Sequence, residues 1–369
     1  MKAVAVLPAL REVRLLDHPA PDLSADTHVR VRTLDVGICG TDREICTFVY
    51  GAPPRGESYL VLGHESLGEV VEVGGAVTQF KTGDLVVPSV RRPCPHAHCR
   101  PCRAGLQDFC ATGDFVERGI NQVHGYMTEQ YVEEARHLNH VPAGLRHLAV
   151  LAEPLTIAEK GLAQAWATQG RLPWACTTPG KPRGHGLRAV VLGAGPIGIL
   201  GAMKLVLEGF DTWVYSRSPK PNAKAALVES FGARYVSSAG TDAAQLARQV
   251  GNIDLVYEAV GHAGVSFALL EMLGQNGIFI FTGIPAPEGH IPVPGPQLMR
   301  NIVLKNQAIV GTVNADRAAF EGAIRDLGEF QKRWPAAIRA VISSRHKPDD
   351  FRDLLTGHAR GIKNVISFE

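Results

Sequence analysis

Ala189-Val190-Val191-Leu192-Gly193-Ala194-Gly195-Pro196-Ile197-Gly198 joins an apolar run to a G-x-G-x-x-G pattern, and helical spacing continues through Leu207. Such a pattern is weak alone. Between a buried strand and a helix it marks a dinucleotide site. Gly193 permits the tight turn, Gly195 lets the backbone approach a pyrophosphate, and Gly198 lets helix and strand pack closely. Pro196 and Ile197 then open a helix whose free N–H groups hold the anion. Downstream, Thr212–Tyr215, Leu255–Ala259, Ile278–Thr282 and Ala308–Val313 read as strands, and Asn222–Phe231 and Ala243–Val250 as helices. This alternation predicts an α/β, doubly wound parallel sheet of Rossmann type.

Upstream the texture differs. Val29–Thr33, Ser66–Val73, Leu85–Val87 and Met127–Val132 are short strand signals split by turns such as Gly74-Gly75 and Thr82-Gly83-Asp84, the texture of a small barrel-like β domain. Thr156–Thr168 has helical spacing after Pro154, and the Pro/Gly-rich stretch 170–186 reads as a loop. After Asn314, helices near Ala318–Lys332 and Pro348–Leu355 and a strand Lys363–Phe368 are too few for a third domain. The expected division is therefore 1–155, completed by 315–369, and a dinucleotide domain over 156–314.

The chain has 369 residues with 38 basic and 36 acidic side chains, 45% hydrophobic and 20% charged, which excludes a disordered or coiled-coil protein. Near-zero net charge without a basic run argues against nucleic acid or an anionic membrane as partner. No apolar run is long enough to span a bilayer, and Met1–Leu10 lacks the ordered parts of a signal peptide. A cytoplasmic enzyme with a small-molecule substrate is the expectation.

The end of the second strand of the dinucleotide domain reads Tyr215-Ser216-Arg217-Ser218-Pro219-Lys220. It has no carboxylate for a ribose 2′-hydroxyl, whereas a guanidinium and hydroxyls suit a 2′-phosphate. NADP is the expected nicotinamide carrier. Nothing plainly repels a free 2′-hydroxyl, so NAD stays acceptable.

Cys94, Cys99, Cys102 and Cys110 crowd into one short lobe, about residues 90–112, with spacing C-x4-C-x2-C-x7-C. Four thiolates fill a tetrahedral Zn²⁺ shell and leave no open position, so this site is structural. His96 and His98 lie within the first gap and are alternative donors for one position. A second constellation is dispersed: Cys39, His64, Glu65 and, just before Pro154, Glu153. One thiol, one imidazole and carboxylates suit a zinc that keeps a place for substrate.

Gly37-Ile38-Cys39-Gly40-Thr41-Asp42, Gly63-His64-Glu65-Ser66-Leu67-Gly68, the four-cysteine lobe and the 193–198 loop occur in this order over almost the whole chain. Together they resemble the zinc-containing medium-chain dehydrogenase/reductase family. Val90-Arg91-Arg92, Asp114–Ile120, His124–Met127, Leu151–Leu155 and Val310–Asn314 are similar to its archaeal-type glucose 1-dehydrogenases. Two departures stand out. The first gap of the lobe is four residues where two is common, so its loop must bulge, and Val90 stands where some relatives carry a polar, sugar-binding residue.

The resemblance implies a GroES-like first domain. It implies a catalytic zinc on Cys39, His64 and Glu65, with Glu153 as a close or exchanging fourth ligand, and sugar contacts from Thr41, Glu117, Glu153 and Asn314. It implies an NADP site lined by Gly195–Ile197, Ser216–Ser218, Thr282, Gly283, Ile284, Thr312, Val313 and Asn314, in a homotetramer or homodimer. The implied reaction is oxidation of an aldose at C1, D-glucose to gluconolactone. The competing activities are a zinc polyol, alcohol or threonine dehydrogenase and a non-catalytic redox-sensing relative. Read by itself, Glu117 is equally a partner for Arg91 or Arg118.

Overall fold

In the computed structural model, which describes residues 1–172, 180–285, 289–357 and 360–369, the strand His28–Gly37 organises the first half. Val29 and Val31 are buried while Arg30 and Arg32 are half-buried, and beyond Thr33 both faces are covered. The strand runs antiparallel to Glu65–Val73, with Gly37 opposite Glu65. It also pairs with Gln130–Glu134 and with the C-terminal strand Lys363–Ser367, where Val365 faces Gly37. Residues far apart in sequence thus converge at the Gly37 end. Met1–Thr156, Asn314–Gln331 and Val341–Glu369 pack together as one compact unit.

Ile157–Val313 and Lys332–Ala340 form the second unit. Among its described residues six parallel strands run in the order Arg234–Ser237, Asp211–Ser216, Arg188–Leu192, Leu255–Glu258, Ile278–Phe281, Ala308–Gly311. Ala189, Val190, Val191, Val256 and Phe279 are buried, as strands covered on both faces must be. The helix Pro196–Leu207 leans on the sheet so closely that a Cβ at Gly201 would meet the Tyr257 ring at 2.4 Å. Trp334 packs on Phe231 with ring centroids 6.1 Å apart, which ties 332–340 to this unit.

Several elements differ from the sequence expectation, each for a local reason. The helix expected from Thr156 begins at Ala152, because Pro154 falls in its first turn, where a missing N–H breaks no helical bond. The strand expected over Met127–Val132 is Gln130–Glu134: the N–H groups of Tyr126 and Met127 bond instead to Gly63 and Leu62. Lys2–Leu7 and Glu12–Asp17, not expected as strands, pair antiparallel around the 3₁₀ turn that Pro8 opens. Cys176 and Trp174 lie outside the described residues.

Candidate active site

Cys39 precedes the short helix Gly40–Ile45, and its N–H donates to Asp42 Oδ2 at 2.8 Å. Asp42 is fully buried, and its Oδ1 accepts the Gly63 N–H at 3.3 Å. That carboxylate therefore ties the Cys39 turn to the His64 turn. Oδ1 also lies 3.4 Å from His64 Nδ1, too poorly aligned for a hydrogen bond, and Nδ1 has no other partner among the described residues. A carboxylate beside one ring nitrogen, leaving the other free, is the usual support of a metal-bound histidine. Burial lowers the basicity of His64, but the charges of Asp42 and Cys39 outweigh it and raise the pKa well above the ordinary value.

Ligand atoms of Cys39, His64 and Glu65 lie within 4.8 Å of one another. Glu65 is fully buried, and both its oxygens accept from Lys363 Nζ, at 2.7 and 2.6 Å. Lys363 is itself buried and also donates to the Ile38 carbonyl at 3.0 Å. A Cβ on Gly37 would stand 2.1 Å from Glu65 Oε2, so only glycine leaves room for this carboxylate. Glu153 opens the helix Ala152–Gln169. Burial pushes its carboxyl up to about 7, against the pull of His64 and with the push of Glu65. It stands outside the tight three-residue group but inside its electrostatic field. Thr41 is half-buried on the first turn of the helix that follows Cys39. A thiol, an imidazole whose Nδ1 side faces a buried carboxylate and a second carboxylate at this separation fit a divalent zinc.

The sulfurs of Cys94, Cys99, Cys102 and Cys110 also lie within 4.8 Å of one another. Burial pushes the Cys102 thiol up to about 12. Burial also opposes ionisation of Cys110, but the Thr112 hydroxyl and nearby thiols draw it down to about 6. Four thiol sulfurs gathered this closely fit a tetrahedral cation that lets them ionise together. The long first gap is taken up by a turn in which Cys99 N–H bonds the His96 carbonyl at 3.0 Å. His96 pairs with Asp114 at 2.8 Å and His98 is exposed, so the cysteines alone form the group.

Glu117 lies on the strand Val116–Arg118, buried and 3.0 Å from Arg91. Asn314, at φ +60°, donates to the same carboxylate at 2.8 Å. Both neighbouring arginines are ion-paired: Arg91 is buried against Glu117, and Arg92 bonds Glu133.

In the second unit Gly193 has φ +108°, and a Cβ on Gly198 would sit 2.2 Å from the Gly193 carbonyl. Gly195 caps the helix that Pro196 opens, with Ile197 in its first turn. The carbonyls of Arg217 and Ser218 are held inward by the hydroxyls of Ser237 and Tyr235, at 3.1 and 2.8 Å. Arg217 is exposed and makes no ion pair among the described residues, whereas Lys220 pairs with Glu229. Buried Glu258 accepts the N–H groups of Val260, Gly261 and Gly283, and its carbonyl accepts the Thr282 hydroxyl. The strand-end loop carrying Thr282, Gly283 and exposed Ile284 is thereby clamped. Thr312 Oγ1 is buried without a partner among the described residues, and the Val313 carbonyl accepts from Lys160 at 2.8 Å.

Asp42 and Lys363, which hold the candidate ligands, and Glu258, which holds the strand-end loop, were not singled out by the sequence as site residues. Only Asp42 had a signal, three residues after Cys39 at the spacing of a capping box.

Residues 146–368 match the family model described as glucose dehydrogenase C-terminus, and 25–143 match the alcohol dehydrogenase GroES-like domain. The chain is 37% identical over 367 residues to a glucose 1-dehydrogenase of Methanocella arvoryzae, covering 99% of each. It is 38% identical to glucose 1-dehydrogenase 2 of Vulcanisaeta moutnovskia, again over 99% of each. Among solved structures, Haloferax mediterranei glucose dehydrogenase in complex with NADP, Zn and gluconolactone matches at 30% identity and TM-score 0.89, covering 100% of this chain and 99% of that one.

Proposed function

The chain belongs to the zinc-containing medium-chain dehydrogenase/reductase family, among the glucose 1-dehydrogenases, and from that premise we propose that it oxidises D-glucose at C1 with NADP as the preferred acceptor. The observation that carries this reading is the close group of half-buried Cys39 with buried His64 and Glu65 in a chain that also holds a complete G-x-G-x-x-G turn. It is supported by the relative whose structure contains NADP, Zn and gluconolactone.

When bound, zinc on Cys39, His64 and Glu65 supplies Lewis acidity at a sugar hydroxyl, and NADP supplies the hydride acceptor. Across the reaction, the C1–H and O1–H bonds of the sugar give way to C1=O; NADPH carries the hydride and one proton leaves. Thr41 passes that proton outward to exposed Glu44 and solvent. Glu153, with its raised pKa, holds or returns a proton near neutral pH. Glu117 and Asn314 bond sugar hydroxyls, and a site of that kind rejects analogues that lack them. The backbone N–H groups of Gly195 and Ile197 hold the pyrophosphate, and Arg217 with Ser216 and Ser218 holds the 2′-phosphate.

A homo-oligomer belongs to the same reading. Met299, Val303, Leu304 and Ile309 are exposed side by side in sequence around one edge strand. No helix among the described residues is long and apolar enough to cross a membrane. The described cysteines are free thiols, as a reducing cytoplasm keeps them.

The test is a panel of aldoses, polyols and simple alcohols, read as NADP reduction by the zinc-loaded protein. D-glucose is expected to give the highest kcat/KM, and stringent chelation to abolish turnover. Turnover confined to polyols or alcohols, or untouched by chelation, overturns the proposal.

A further inference from the structure

Arg91 and Glu117 face each other across two short antiparallel strands. Both side chains are buried. Arg91 Nε and Nη2 each lie 3.0 Å from Glu117 Oε1. Its Nη1 donates to the Asp108 carbonyl at 3.2 Å, and the guanidinium carbon lies 3.6 Å from the centroid of the Phe115 ring. The guanidinium is therefore fixed on its edges and on one face. Asn314 Nδ2 adds a bond to Oε1 at 2.8 Å, while its own Oδ1 accepts the Ala315 N–H at 2.9 Å.

All these donors converge on one oxygen. Among the described residues, Oε2 accepts no hydrogen bond. Asp35 of the same unit is likewise loaded on one oxygen, by Arg146 and Arg345, but three buried carboxylates of the unit are held on both. Glu65 has Lys363 on both oxygens. Asp42 takes one N–H on each. Glu133 takes Arg118 on Oε2 and the Glu134 N–H on Oε1. An arginine that serves only to neutralise a buried carboxylate gains most from the two-oxygen fork. Loading Oε1 alone gives up that gain and leaves an acceptor with its capacity intact.

We propose that Arg91 is a positioning residue of the sugar site: together with Asn314 and the Phe115 ring it fixes Glu117 through Oε1 and so reserves Oε2 for one substrate hydroxyl. The inference rests on the reading of Glu117 as a sugar-binding residue and adds how that residue is aimed. It also gives Asn314 a different task. Its amide N–H and carbonyl are engaged within the protein, so part of its effect on sugar binding passes through Glu117.

The test compares wild type, Arg91→Lys, Glu117→Gln and the double variant, each as zinc-loaded protein. It reads KM for glucose, KM for NADP and kcat, with gluconolactone affinity by calorimetry and zinc content alongside. Lysine keeps the charge but loses the planar fork. Arg91→Lys is expected to raise glucose KM and gluconolactone Kd about tenfold, the scale of one misplaced hydrogen bond. NADP KM and zinc content stay at wild-type values. In the Glu117→Gln background the same change is expected to add almost nothing. Equal effects in both backgrounds, or no effect on sugar affinity, overturn the proposal. Should Arg91→Lys fail to fold, Phe115→Leu, which removes the stacking ring, carries the same comparison. The parent reading fails separately: Glu117→Gln with wild-type sugar affinity removes Glu117 from the site whatever Arg91 does.

Discussion

Gly37 shows how far one missing side chain reaches. It faces Glu65 across the sheet, and a methyl there would meet the carboxylate oxygen that Lys363 also holds. A buried ion pair tolerates little displacement, because separating the partners leaves an uncompensated charge in a dry interior. Gly37→Ala is therefore expected to expel Glu65 from its place, to lower stability by about 1–3 kcal/mol through overpacking, and to empty the Cys39–His64–Glu65 site. Metal analysis should fall from about two zinc ions per chain, one for each ligand group, to about one held by the cysteine lobe. Two ions retained after the substitution would mean that Glu65 is dispensable as a ligand. Arg217 offers a second single-residue test. It is exposed and, among the described residues, in no ion pair, so removing it costs the fold little. One charge-assisted bond is worth about 1.5–3 kcal/mol, so Arg217→Ala should lower the NADP-over-NAD preference in kcat/KM by roughly 10–100-fold. An unchanged ratio removes it from the phosphate site.

At the scale of elements, the strand Gln130–Glu134 and the turn after it gather charge in the core. Glu133 is buried, and the charges of Arg118 and Arg92 outweigh the burial penalty and hold its carboxyl at about 2. His137, in the following 3₁₀ turn, is pushed down to about 3 by burial and then by the charge of Arg92. Unfolded, a histidine titrates near 6.5 and a glutamate near 4.3. Between about pH 6.5 and 3 the unfolded chain thus binds one proton more at His137 than the folded chain, and stability falls as the pH is lowered. Glu133 adds a second loss below about pH 4.3, where its unfolded form protonates first. His137→Gln should flatten the dependence of the unfolding midpoint on pH between about 6.5 and 4.5, measured against wild type at each pH so that zinc release affects both. An unaltered slope would mean that His137 takes up its proton in the folded state. Most elements around the dinucleotide turn were legible in the sequence. Pro196–Leu207 and Ala243–Val250 fall where spacing put them, because buried strands and amphipathic helices each write a period into the chain. What stayed hidden is contact across sequence distance. Lys363 on Glu65 depends on sheet register, and no local pattern records which strand lies beside which; Arg91 on Glu117 was one of two partners the sequence offered, and the pairing of their strands selects it over Arg118.

For the whole molecule, the second unit ends its sheet on Ala308–Gly311, a strand with a neighbour on one side only among the described residues. Its Ile309 is 43% exposed, and on the helix just before it Met299 and Val303 are 70% and 71% exposed. Met299 and Val303 are four residues apart and share a face, while Leu298 is buried. An edge strand flanked by apolar side chains is a template for another chain, and free monomers protect such edges with charge, proline or a bulge. No charged side chain lies on this strand itself. The same edge on a second copy is its natural complement, since a two-fold axis pairs a strand antiparallel with itself and sets each apolar row against the other. Wild-type protein should therefore run at the mass of a dimer or a multiple of it in light scattering. Ile309→Lys places a charge in the middle of that seam and should shift the mass toward the monomer, as should Val303→Glu on the helix. Neither residue touches the 193–198 turn, so NADP affinity measured by fluorescence should persist in the dissociated form. A monomeric wild type, or an Ile309→Lys protein of unchanged mass, would show that this edge stands open in solution and that the homo-oligomer is built elsewhere or not at all.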